Sequence, residues 1–296
     1  MSATFAPYTI IAALQELLTM GKASTAWKPR GEGEAQQKVF LDTMFSKGIP
    51  EGGFTKEELE TVGAFDVGTI NSFLSEKGFN IQLEDNGDPR AIYTASVMNV
   101  LVKWLKEGTQ NTVSHEGTSY PGALIKKGMR ASSTPEGAPM ACLETQTGDL
   151  VWLTVPQGPL EGFALVQEAQ RCMAGGKPSQ GGAQGPYTEV VFPMVHLDRE
   201  EDISYFCDMV FLGMDKAGEK TPFLIGQALN QNKLKMNHLG ARAESAAAFS
   251  VKRCMSRASR LVIDQPFMVW FTRDGLDLPY FAAFVTPDDW KNPGDL

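Results

Sequence analysis

The chain has 296 residues, 43% of them hydrophobic and 21% charged, enough to bury a large core in an ordinary globular protein. A formal charge of -8 argues against nucleic acid as the main partner, because phosphate binding needs a net basic surface or a strong basic stripe. Four cysteines (Cys142, Cys172, Cys207, Cys254) form no C-x-x-C pair, and three histidines (His115, His196, His238) lie far apart. Zinc spacing is absent, so no metal or other cofactor is expected.

Pro7 opens the first expected helix, and Ile10, Leu14, Leu17 and Leu18 share one face of it over residues 10–20. No basic residue precedes Lys22, and Gln15 and Glu16 break the apolar run, so this is neither a signal peptide nor a membrane span. No stretch elsewhere reaches membrane length, and no membrane partner is expected. The chain therefore reads as cytoplasmic, or as extracellular if a leader lies outside it. A short helix is expected over residues 34–46. "TKEELETV" and "VGTINSFLSEKG" read as two more helices, and "FNIQLED" as a strand ending at the turn "NGDP".

"ASVMNVLVKWLKEGT" reads as an amphipathic helix. Val97, Val100, Leu101, Trp104 and Leu105 form its stripe, and Gly108 ends it. "DLVWLTVP" (149–156) and "TEVVFPMVHL" (188–197) are continuous apolar runs, expected as strands buried on both faces. Between them "AGGKPSQGGAQGP" (174–186) reads as a surface loop. Its Gly176-Lys177 is followed by Pro178, and the upstream glycine spacing of a phosphate loop is missing. "PFMVWFTRD", Gly275 and "LDLPYFAAFVTP" signal a hairpin. Helices at the front and strands at the back, without a βαβ rhythm, indicate an α+β fold with largely antiparallel sheets in one domain over 1–296.

Catalytic constellations are not legible. "GTSYPG" (117–122) misses the nucleophile elbow by one residue, and no H-E-x-x-H occurs. The chain is not expected to be an enzyme.

Residues 240–267, "GARAESAAAFSVKRCMSRASRLVIDQPF", carry Lys252, Arg253, Arg257 and Arg260 with no acidic residue among them. Helix-forming composition, with Glu near the start and cations near the end, favours a helix. A second periodicity is also present. Ala241, Ala243, Ser245 and Ala247 occupy the odd positions, while Arg242 and Glu244 fall between them. In an extended strand this makes one face uniformly small, able to enter a tight slot in a sheet.

At this point the chain resembles the serpin family. Gly240 and "ARAESAAAF" are similar to the serpin hinge, and "DQPFMVWFTRD" to the strand that follows the reactive loop. "PYFAAFVTP" resembles the last strand through Tyr280, Val285 and Pro287, with Ala282 replacing a glycine. "FAPYTIIAALQELLTMGKAST" resembles the F-S-P-x-S-I segment and its helix. "MNVLVKWLKEGTQNTV" is similar to the helix covering the main sheet, marked IN-x-W-V, and "VVFPMVHLDREEDI" to the late strand-and-helix stretch. No segment is identified for N-A-x-Y-F-K-G-x-W, which supplies a central strand in the family. The shutter pattern is carried by Thr9 and Asn230, with Ala6 where a serine is usual and Asn230 where a histidine is. His238 stands where the hinge usually has Glu.

The resemblance implies an exposed reactive loop over about 240–263, with a hinge of Gly240, Ala241, Ala243, Ser245, Ala246 and Ala247. It implies suicide inhibition of a serine protease: the loop is cut, inserts as a strand and traps the acylated protease. Family spacing puts the cut bond near Cys254-Met255. Arg253 is the favoured bait for a trypsin-like pocket, with Arg257 second. The implied partner is that protease, and the chain is expected to be a monomer. The alternative is a non-inhibitory serpin-like binding or scaffold protein, or a protease substrate whose loop does not insert.

Overall fold

The computed structural model describes residues 1–88, 91–175, 187–214, 218–241 and 259–296. In chain order it contains α1 (Pro7–Met20), α2 (Glu34–Thr43), α3 (Val67–Glu76) and α4 (Phe163–Gly175). The first strands are β1 (Ala3–Phe5), β2 (Leu59–Ala64), β3 (Tyr93–Met98), β4 (Val102–Lys103), β5 (Thr109–His115) and β6 (Thr118–Ile125). Next come β7 (Met129–Ser133), β8 (Pro139–Glu144), β9 (Leu150–Thr154), β10 (Glu189–Pro193), β11 (Val195–Glu201) and β12 (Val210–Met214). The last are β13 (Lys220–Leu224), β14 (Asn230–Met236), β15 (Gly240–Ala241), β16 (Arg260–Val262), β17 (Phe267–Thr272) and β18 (Phe281–Val285). This is the α+β architecture expected. Among the described residues no helix is long and apolar enough to cross a membrane.

The chain divides into two compact units. The first comprises Met1–Phe5, Leu101–Arg199 and Lys233–Leu296. Its six-stranded sheet has the order β1-β18-β17-β9-β8-β7 and its four-stranded sheet the order β16-β10-β6-β5. Neighbours are antiparallel except β10 and β16, which run parallel. Trp152 and Trp270 face each other across β9 and β17, with ring centroids 6.0 Å apart and ring planes nearly parallel. Such cross-strand aromatic pairs fix register. β17 and β10 are buried along nearly their whole length, as their unbroken apolar runs require. A tight turn at Glu116-Gly117, both with positive φ, joins β5 to β6. α4 buries Leu165, Val166, Ala169 and Cys172 at helical spacing.

The second unit comprises Ala6–Val100 and Glu200–Asn232. α1 starts with Pro7 at its first turn and buries Tyr8, Ile10, Ile11 and Leu14. α3 is capped by Asp66, whose carboxylate accepts from Thr69 N–H at 2.8 Å, and buries Ile70 and Leu74 on the β2–β3 ribbon. The β12–β13 hairpin can approach the end of α1 because Gly213 meets Gly21 there. A Cβ on Gly213 would stand 2.1 Å from the Gly21 carbonyl oxygen. β11 and β14 pair with each other, and the chain passes from one unit to the other within both strands.

Several expectations are corrected. Residues 95–109 form no helix: they supply the end of β3, all of β4 and the start of β5. Tyr93, Ala95 and Val97 alternate with half-buried neighbours, so period two wins over the helical stripe. "TKEELETV" is a turn followed by β2, not a helix. "FNIQLED" belongs to no sheet, because side-chain amides occupy its backbone. Gln231 Oε1 accepts from Asn80 N–H at 2.8 Å and Ile81 N–H at 3.3 Å, and Gln227 Oε1 accepts from Glu84 N–H at 2.9 Å. Asn71 both accepts from Leu83 N–H and donates to its carbonyl, each at 2.9 Å. The apolar run 188–197 is two strands parted at Met194, whose N–H donates to Pro121 O. Helix α4 was not anticipated. Most of the glycine-rich loop, residues 176–186, lies outside the described residues.

Candidate functional site

Ala243, Ser245, Ala246, Ala247, Arg253, Cys254, Met255 and Arg257, with Arg242 and Lys252, lie outside the described residues. Both ends of that segment are described, and both belong to the first unit.

The leading end is β15, paired antiparallel with β4 so that Gly240 faces Lys103 and Ala241 faces Val102. Gly240 has φ +154°, a conformation reserved for glycine. A Cβ there would lie 2.6 Å from Val102 O and 2.9 Å from Lys103 Cα. A glycine is thus required at position 240 twice, by its dihedral and by close backbone approach.

Beneath this ribbon is Trp104, 1% exposed. Its indole N–H donates to Asn237 O at 2.9 Å, and its ring meets Phe192 of β10 edge-on at 6.2 Å. Asn237 closes the turn into β15. Its side-chain carbonyl accepts from Leu239 N–H at 2.8 Å, its own N–H donates to Gly240 O at 3.0 Å, and Nδ2 donates to Gly294 O at 3.1 Å. His238 follows, its carbonyl accepting from Gly108 N–H at 2.7 Å. Its Nδ1 is buried without a partner, and burial holds the ring below the usual histidine range against the opposing pull of Glu107.

The trailing end is β16, parallel to β10 with Arg260 opposite Glu189, Leu261 opposite Val190 and Val262 opposite Val191. Thr188 N–H donates to Ser259 O at 2.9 Å, and Ile263 N–H donates to Val191 O at 2.8 Å. Arg260 pairs with the nearly buried Glu189 carboxylate at 3.4 Å. Just beyond, His115 Nδ1 lies 2.6 Å from the Asp264 carbonyl oxygen.

Thr9 and Asn230, expected from the resemblance as shutter residues, are both described, and the Asn230 amide does not join them. Thr9 Oγ1 donates to Ala6 O at 2.8 Å, and Asn230 Nδ2 is buried without a partner. Cys142 and Cys172 are free, and burial pushes both thiols up to about 12, which keeps them protonated and unreactive. Among the described residues no group of three His, Cys, Asp or Glu gathers to hold a metal.

Residues 98–113, likened to a covering helix, form no helix: they span the end of β3, all of β4 and most of β5. Trp104, Asn237 and His115 were not recognised as site residues. A lone tryptophan just after a β-branched run was the one signal available for the first of them.

No protein-family model matches the chain, and no curated protein matches it in sequence. Solved structures do. Serpin48 of the insect Tenebrio molitor, described as a highly specific serpin, is 14% identical, with a TM-score of 0.59 over 96% of this chain and 91% of that one. Thyroxine-binding globulin, solved in complex with thyroxine, is 13% identical, with a TM-score of 0.54 over 96% and 92%. Mouse protein-Z dependent protease inhibitor is 14% identical, with a TM-score of 0.54 over 96% and 90%. The chain has the serpin fold, in a divergent form.

Proposed function

From the serpin fold as premise, we propose that residues 1–296 form one serpin domain that inhibits a serine protease of trypsin-like preference. The observation that carries this reading is Gly240, held at φ +154° against β4 at the start of the small-residue run. The protease serine attacks the Arg253 carbonyl carbon, the Arg253–Cys254 bond breaks, and the Cys254 amine leaves with a proton, giving an acyl-enzyme. Cleavage at Cys254–Met255 or after Arg257 follows the same chemistry. The freed strand enters the sheet with Ala241, Ala243, Ser245 and Ala247 on its inner face. The acylated protease is carried off and its oxyanion hole distorted, so that hydrolysis stalls. Among the compared proteins, one is itself named a protease inhibitor, which supports this direction.

A second reading, cleavage without insertion in a binding or scaffold protein, is favoured by one feature. Asn230 stands where a histidine is usual, and its Nδ2 has no partner. Incubation with trypsin near equal concentration decides between them. An SDS-resistant band at the summed mass, with a new N-terminus between 253 and 258, is the expected result. Cut protein should also unfold at a much higher temperature than intact protein. Clean cleavage with fully active trypsin and unchanged thermal stability would sink inhibition and leave the second reading.

A further inference from the structure

We propose that His238 makes the β4–β15 pairing acid-sensitive: the neutral ring lets the turn hold Gly240 against β4, and the protonated ring releases it. The geometry begins with a fixed backbone. The His238 carbonyl is bonded to Gly108 N–H at 2.7 Å, and the preceding residue, Asn237, is anchored at both side-chain ends and to Gly240 O. The ring is thus carried by a fixed turn two residues before Gly240, and β15 consists of only Gly240 and Ala241.

Ring chemistry supplies the switch. In the neutral ring one nitrogen is a donor and the other a bare acceptor, and the buried, unpartnered Nδ1 suits the acceptor role. Protonation puts a hydrogen on Nδ1 as well, creating a buried donor with no acceptor beside it, together with a charge in a partly desolvated place. Of the charged groups on neighbouring elements, Glu107 acts on the ring and favours the imidazolium. Lys103 lies on β4, and Lys235 on β14 has its Nζ 3.4 Å from the Asp295 carbonyl. Burial outweighs Glu107, so the fold prefers neutral His238. The stabilisation is full above the ordinary histidine value of about 6.5 and is lost as pH falls through the lowered folded value.

Hydrogen exchange of the intact protein tests this without any protease, so its outcome is independent of the inhibitor reading. Protection factors, corrected for intrinsic exchange, are compared at pH 7.5 and 5.0 for peptides covering 101–104 and 236–241. Protection should fall about tenfold at the lower pH, while the β10–β16 peptides stay constant. In His238→Gln the fall should vanish, and in Glu107→Gln its midpoint should move to lower pH. Should His238→Gln not fold, His238→Asn serves the same comparison. A wild-type ribbon with constant protection, or a fall that persists in the His238 variant, overturns the proposal.

Discussion

The two ends of residues 242–258 are held in opposite ways. Upstream, β15 offers two residues to a two-residue partner, and one of the four is a glycine at φ +154°. Downstream, β16 joins a four-stranded sheet. It is prolonged by the Thr188–Ser259 and Ile263–Val191 bonds and braced by Arg260–Glu189. The leading end is thus a short ladder on a rigid floor, and the trailing end is part of a sheet. The leading end therefore has fewer backbone bonds to break than the trailing end.

Three substitutions sharpen that comparison. The largest effect is expected from Trp104→Ala, which empties the floor of the leading end and strips Asn237 O of its donor. It should cost about 3–5 kcal/mol in urea unfolding, with β16 protection unchanged in hydrogen exchange. If β16 loosened equally, the contact with Phe192 would be joining the two ends more tightly than their ladders suggest. Gly240→Ala comes next, at about 1–3 kcal/mol, because the new Cβ meets Val102 O in a conformation only glycine tolerates. Protection should be lost locally at 101–104. Arg260→Ala should change stability by only about 0.2–1 kcal/mol, since the pair is half exposed on the arginine side. A cost as large as that of Gly240→Ala would reverse the ranking of the two ends.

The same contrast governs what the sequence revealed. Gly240 stood out in the sequence as a glycine before a small-residue run, and the structure shows that its backbone requires a glycine. α1 and α3 announced themselves through Pro7, through helical spacing, and through the apolar positions Ile70 and Leu74. The strand leading to Trp104 was misread because Val97, Val100, Leu101, Trp104 and Leu105 satisfy helical spacing. The β-branched content of "YTASVMNVLV" and the alternation of Tyr93, Ala95 and Val97 pointed the other way. Asn237 left no signal, and His238 showed only as a departure from the family pattern, since their contacts are with Gly108, Trp104 and Gly294, which are distant in the chain.

Residues 79–84 have the alternation of a strand, with Phe79, Ile81 and Leu83 packed inward. Phe79 N–H donates to Leu74 O at 2.9 Å, but Asn80, Ile81, Leu83 and Glu84 are fastened by the side chains of Asn71, Gln227 and Gln231. A strand in a ladder leaves cooperatively, because each pair steadies the next. Each separate carboxamide removed should weaken the run by about 1 kcal/mol, while Phe79, Ile81 and Leu83 keep it packed on the β2–β3 ribbon. Gln231 sits on β14, so whatever disturbs that strand also reaches Asn80 and Ile81. The place of this segment thus depends on β14 through Gln231 and on α3 through Asn71.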